Sequence, residues 1–168
     1  MTSSSHTSVL ERVSRRCNSA VELSLLGLGS LMTIIVIAQV ISRYGLNHSL
    51  FWSEELARYL LVWLTFLGAT VAYFRGMHPG VDVIYRRLSP ENKRYLRIIS
   101  HLLCLILFLV MIWQGTQFSY FVRLQITPAL NLPKWTIFSI IPISGLIFML
   151  HGFAFIWREL FTGEHRHE

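Results

Sequence analysis

The sequence predicts an all-α membrane protein with four transmembrane helices and an N-terminal amphipathic surface helix. Hydrophobic residues make up 53% of the 168 residues and charged residues only 14%, whereas a soluble domain of this length carries about 25% charged residues. Four apolar stretches are each long enough to cross a bilayer, which takes about 20 residues. The composition therefore predicts that much of the surface faces lipid.

The first 21 residues form a polar segment with a helical pattern. Val9, Val13, Cys17 and Val21 recur at helical spacing, and arginines occupy the opposite face. A basic amphipathic helix of this kind lies along a membrane surface, and the alternative is a partly disordered tail. We predict three regions, namely a cytoplasmic segment 1–21, a four-helix transmembrane domain 22–157 and a cytoplasmic tail 158–168.

The four predicted spans cover residues 22–42, 56–74, 98–121 and 133–157. The first span is longer than the apolar core of a cleaved signal peptide, and no A-x-A-like site follows it, so we expect a signal anchor. Val81, Ile84 and Leu88 suggest a further short surface helix between the second and third spans.

Local residue types predict where the helices begin. Ser53 is a candidate N-cap for the second helix, and the pair Ser89 and Pro90 is typical of the start of the third. Pro133 is expected to begin the fourth helix, and Pro142 is expected to kink it because proline lacks the backbone N–H.

The positive charges predict the orientation. Eleven Lys and Arg residues lie in the two terminal segments and in the loop between the second and third spans, and four lie on the other side. The positive-inside rule places the larger number in the cytoplasm, so both termini are predicted to be cytoplasmic. The net charge of +6 is thus explained by the membrane and does not indicate a nucleic-acid partner.

The spans carry no Asp, Glu, Lys or Arg near their centres. Their main polar residues are neutral and are typical of interhelical hydrogen bonds, namely Gln39, Thr65, Thr70, Gln114 and Thr116. Ion-coupled transport usually places ionisable groups near the bilayer midplane. The chain alone is therefore a poor candidate for a transporter. Cys17 and Cys104 are interpreted as structural thiols.

Two histidines leave a second class of function open. His101 and His151 each lie a few residues inside the cytoplasmic boundary of their helices. Two facing histidines in a four-helix bundle are the geometry of a b-type haem site, so a haem-binding membrane anchor or redox subunit is the alternative hypothesis. A lipid-modifying enzyme is not supported, since no nucleophile with a base and no metal-binding spacing is present.

The start of the second helix concentrates charge at the outer membrane boundary. Glu54 and Arg58 are four residues apart and Glu55 and Arg58 are three apart, so both pairs are expected to meet on one helical face. Trp52, Tyr59 and Trp63 add an aromatic belt at the same interface. An ordinary interfacial anchor explains the aromatic residues better than it explains two adjacent carboxylates.

The sequence resembles those of a known family, the DctQ-type small membrane subunits of tripartite ATP-independent periplasmic (TRAP) transporters. The resemblance covers residues 22–157. The matching residues, in order, are Arg43, Trp52, Glu54, Glu55, Arg58, Trp63, Phe66, Leu67, Gly68, Ala69, Arg75, Gly76, His78, Val81, Asp82, Leu132, Pro133, Trp135, Pro142, Gly145 and His151.

The resemblance implies a scaffold subunit without enzymatic activity in a bacterial inner membrane. Its expected partners are membrane lipid, a large membrane subunit that carries the substrate and sodium sites, and a periplasmic substrate-binding protein that delivers an organic acid. No cofactor is expected in this subunit.

Structural or subunit-interface roles are expected for a set of residues along the chain. The charged residues at the outer end of the second helix would hold helix ends or a partner, and Arg75, His78 and Asp82 would fix the following loop. The full set is Arg43, Trp52, Glu54, Glu55, Arg58, Trp63, Gly68, Arg75, His78, Asp82, Pro133, Trp135, Pro142 and Gly145.

Overall fold

The structure, a computed structural model, describes residues 9–76 and 90–161, with side chains for 9–76 and 99–157. The helices are α1 (Val9–Gly45), α2 (Phe51–Phe74), α3 (Pro90–Phe121), α4 (Trp135–Phe138) and α5 (Ile140–Phe161). Within these ranges four helical stretches are long and apolar enough to cross a membrane. The predicted all-α, four-span architecture is confirmed.

The helices form two pairs that meet in the middle of the bundle. α1 packs chiefly on α2 and α3 chiefly on α5, and α2 and α5 pack on each other. An apolar 18-residue stretch of the fourth span (Trp135–Trp157) is 44% buried inside the protein, and one of α1 is 6% buried. α2 and α5 are therefore central, and α1 and α3 present wide apolar surfaces on the outside of the bundle.

α1 is longer than the predicted first span. It runs without interruption for 37 residues, or about 55 Å, because no glycine or proline occurs between Val9 and Leu26. The predicted boundary after residue 21 is therefore not a helix break. Ser14 and Asn18 are buried, whereas Val9 and Val13 are exposed. That this segment lies along the membrane surface stays a prediction.

The prediction that Ser53 caps α2 is wrong. α2 begins two residues earlier, at Phe51, and Leu50 occupies the N-cap position without a side-chain capping bond. The Ser53 hydroxyl lies within the first turn and donates to the Leu50 carbonyl at 2.7 Å. The described part of α3 begins at Pro90, as expected. Ser89 and the short helix predicted from Val81, Ile84 and Leu88 lie outside the described residues.

The helical hydrogen bonding of the fourth span is interrupted near its N-terminal end. Pro133 does not begin a helix, because it forms an isolated antiparallel β-bridge with Ile126, and α4 starts at Trp135. Pro142 has no N–H to donate to the Phe138 carbonyl four residues earlier, so one helical hydrogen bond is missing between α4 and α5. Ser139 between them keeps helical dihedral angles, with φ −57° and ψ −21°, and its carbonyl accepts the Ile143 N–H at 3.2 Å. The kink at Pro142 stays a prediction.

Glycines bring α3 and α5 into close contact. A Cβ atom at Gly115 would lie 2.9 Å from the Pro142 ring, and one at Gly145 would lie 2.9 Å from Ile112. Next to Gly145, on the side away from Gly115, the Phe108 and Phe148 rings stack, with centroids 4.6 Å apart. Small residues of this kind allow transmembrane helices to pack tightly, so this seam fixes one side of the bundle.

Candidate functional site at the ends of the second helix

The Glu55 carboxylate near the N-terminal end of α2 holds the loop that precedes α4. Its Oε2 atom accepts the backbone N–H groups of Ala129 at 2.7 Å and Leu130 at 3.2 Å. Its Oε1 atom accepts the hydroxyl of Tyr59, one turn along α2. A carboxylate accepts such charge-assisted bonds strongly, so Glu55 anchors a loop more than 70 residues away in sequence.

The loop itself is closed by hydrogen bonds around the buried Thr127. The N–H of Thr127 donates to the Leu132 carbonyl at 2.9 Å, and the Leu132 N–H donates to the Thr127 hydroxyl at 3.0 Å. Asn131 adopts a φ of 53°, a left-handed conformation that asparagine accepts more readily than most residues. The loop is therefore compact, and Glu55 binds two amides at its tip.

The predicted ion pairs of Arg58 are not formed. Among the described residues the ion pairs are Arg15 with Glu11 and Arg75 with Glu22, and neither Glu54 nor Glu55 pairs with Arg58. The physical reason is that Glu55 turns toward the loop amides. The Glu54 and Arg58 side chains are exposed in the N-terminal turns of α2.

At the C-terminal end of α2, Arg75 binds α1. Its Nη2 atom donates to Glu22 Oε1 at 2.9 Å, and Asn18 Nδ2 donates to the same oxygen at 2.9 Å. In the described residues, Arg75 therefore joins α2 to α1, and its expected role in fixing the loop after α2 stays a prediction. His78 and Asp82, predicted to act with it, lie outside the described residues.

The two histidines have separate hydroxyl partners. His151 is fully buried, with its Nδ1 atom 2.7 Å from the Ser14 hydroxyl and its ring beside Phe74. His101 Nδ1 lies 3.1 Å from the Tyr73 hydroxyl. Each imidazole thus joins two helices by a hydrogen bond, and this geometry does not favour a haem site with both as ligands.

The other predicted residues lie in different surroundings. Trp63 packs partly buried against the core, and Pro142 and Gly145 lie in the seam between α3 and α5. Gly68 borders open space. Arg43, Trp52 and Trp135 are exposed. Their roles at a subunit interface stay predictions.

The sequence did not lead us to predict the polar contacts that α1 makes near its N-terminal end. Ser14, Asn18 and Glu22 are spaced four residues apart and share one helical face, which was the available signal. The structure shows that Ser14 and Asn18 are buried. The loop amides that Glu55 binds gave no signal, because every non-proline residue has such an amide.

The fold and these contacts define a multi-pass membrane protein whose polar side chains join helices at the ends of the bundle. In the described residues no group of three or more His, Cys, Asp or Glu side chains is placed to hold a metal ion.

The chain belongs to the DctQ component family of the tripartite ATP-independent periplasmic transporters, whose sequence profile matches residues 32–162. It is a TRAP small permease subunit embedded in the membrane, and not an enzyme. A Haemophilus influenzae protein named as a TRAP transporter small permease is 31% identical over 131 residues, which cover 77% of this chain and 81% of the relative.

The names of two further relatives include a small molecule. The ectoine TRAP transporter small permease protein TeaB of Halomonas elongata is 30% identical over 132 residues, covering 77% of this chain and 68% of TeaB. The isethionate TRAP transporter permease protein DctMQ of Oleidesulfovibrio alaskensis is 30% identical over 98 residues, covering 55% of this chain and only 15% of that longer protein.

Proposed function

We propose that this chain is the scaffold subunit of a sodium-driven importer for an organic acid and does not move the substrate by itself. Its partners are a large membrane subunit, which holds the substrate and sodium sites, and a periplasmic substrate-binding protein. The complex lies in a bacterial inner membrane, and both termini of this chain are cytoplasmic.

The family match over residues 32–162 carries this proposal, and the distribution of charge supports it. Ion-coupled transport usually places ionisable groups near the bilayer midplane, and the spans have no Asp, Glu, Lys or Arg there. The charged groups with described long-range contacts, Glu55, Glu22 and Arg75, lie at the ends of the bundle and join its elements. Contacts of this kind are expected in a rigid scaffold subunit.

The relatives support the large partner and the substrate class. The region similar to this chain is a small part of DctMQ, so the same kind of bundle accompanies a much larger permease in one polypeptide. Ectoine and isethionate are small organic solutes bearing a carboxylate or a sulfonate. A small organic acid is therefore the substrate class we propose.

Co-expression tests the assembly directly. The chain, with an affinity tag at its C-terminus, is produced with the multi-span permease encoded beside its gene and purified in a mild detergent. We expect one copy of each subunit in a single peak by size exclusion with light scattering. Separate elution of the two proteins in detergent and in lipid nanodiscs would contradict the proposal.

A further inference from the structure

The α2 surface, defined here as the exposed side of α2, has an unusual composition for a membrane face. Its residues recur every three or four positions and so share one side of the helix. Glu54, Arg58, Leu61, Thr65 and Ala69 are exposed along it, and Gly68 and Ala72 lie half-buried at its edges. It runs from the outer boundary to the inner half of the membrane.

The other exposed faces of the bundle carry large apolar side chains. On α1 these include Leu31, Ile34 and Ile41, and on α3 they include Leu107 and Leu109. Past Phe51 at the start of the helix, the α2 surface has one such residue, Leu61, and α2 has the lowest mean hydropathy of the four spans, 1.4 against 1.9 to 2.2 for the others. Its composition differs from that of the faces suited to lipid.

The packing of this chain does not require a glycine at position 68. A Cβ atom there would meet nothing within 4 Å, whereas at Gly145 it would lie 2.9 Å from Ile112. The small size of Gly145 is therefore explained by the α3–α5 seam. The small size of Gly68, next to Ala69 and Ala72, leaves room for a helix outside this chain.

The charges at the outer end of the surface also lack partners within the described part of the chain. Arg58 and Glu54 are four residues apart, yet their side chains form no ion pair or hydrogen bond with each other or with another described residue. The neighbouring Glu55 is bound by loop amides instead. A facing helix with hydrogen-bonding or charged groups near the outer boundary would complement them.

We propose that the α2 surface is the docking site for a transmembrane helix of the large permease subunit. The proposal rests on the function proposed above. The remaining sides of α2 are already covered by α1, α4 and α5 of this chain. The occupant is a membrane-embedded permease because the similar region in DctMQ is part of a longer permease polypeptide. Its facing helix packs small side chains against Gly68 and Ala69.

Site-specific photocrosslinking in the co-expressed complex locates the contact. The photoreactive residue p-benzoyl-phenylalanine is placed at Thr65 on the α2 surface or, as a control, at Leu109 on the exposed face of α3. We expect a crosslink to the large subunit from Thr65 and none from Leu109. A crosslink from Leu109 alone, or a crosslink from Thr65 to a second copy of this chain, would refute the docking site.

A matched pair of substitutions tests the role of the small residues. Ala69→Leu places a larger side chain on the α2 surface, and Ala38→Leu makes the same change on the exposed face of α1. We expect Ala69→Leu to reduce recovery of the large subunit at least tenfold and Ala38→Leu to leave it unchanged. Equal recovery with both variants contradicts the inference, whereas failure of the unmodified pair to assemble contradicts the proposed function itself.

Discussion

Two glycines of this bundle are predicted to respond in opposite directions to the same substitution. In Gly145→Ala, the new Cβ atom would lie 2.9 Å from Ile112 Cγ1 and 3.3 Å from two backbone atoms, Ile112 N and the Phe108 carbonyl oxygen. Backbone atoms cannot rotate away, so α3 and α5 must separate. Overpacking of this kind costs about 1–3 kcal/mol. In Gly68→Ala, the Cβ atom meets nothing within 4 Å.

The comparison isolates the packing cost. Alanine is favoured over glycine within a helix by up to about 1 kcal/mol, and this gain applies to both variants and cancels in their difference. Gly68→Ala should therefore be more stable than Gly145→Ala by about 1–3 kcal/mol. Unfolding by SDS in mixed micelles, followed by the fluorescence of the five tryptophans, measures this difference. Equal free energies of unfolding would show that the seam does not depend on Gly145.

Three further predictions concern the polar contacts. Glu55→Gln should speed hydrogen exchange at the two loop amides that the carboxylate accepts, whereas Glu54→Gln should not; equal rates in both variants would refute the anchor. Ser14→Ala should lower the free energy of unfolding by about 1–3 kcal/mol, because the buried imidazole of His151 loses its hydrogen-bond partner. An unchanged free energy of unfolding in SDS would contradict this. The Glu22 and Arg75 pair is partly exposed, so Arg75→Ala should be mildly destabilising at low salt and neutral at high salt, and a loss of stability that salt does not reduce would indicate another role.

Apolar length and proline chemistry were sufficient to predict the four spans. Long apolar runs must be helical in a bilayer, since each backbone N–H and C=O needs a partner. Pro142 marked the disturbance in the fourth span because the missing N–H is a local property. Both features depend on residues near each other in the chain, and this is why they were accessible from the sequence.

The contacts of the charged residues depended on distant parts of the chain. The spacing of Glu55 and Arg58 permitted a pair on one helical face, yet the carboxylate binds loop amides near Ala129. Likewise, Arg75 pairs with Glu22 on a different helix. Helical spacing shows which partners are possible within one helix and gives no information on competing partners brought in by tertiary packing.

The central claim is that this chain supports transport without performing it. Proteoliposomes containing this chain alone, the large permease alone, or both, with the periplasmic binding protein outside and an inward sodium gradient, test it by uptake of a radiolabelled organic acid that the binding protein binds. We expect sodium-dependent uptake only when both membrane subunits are present. Sodium-driven uptake by this chain alone would contradict it.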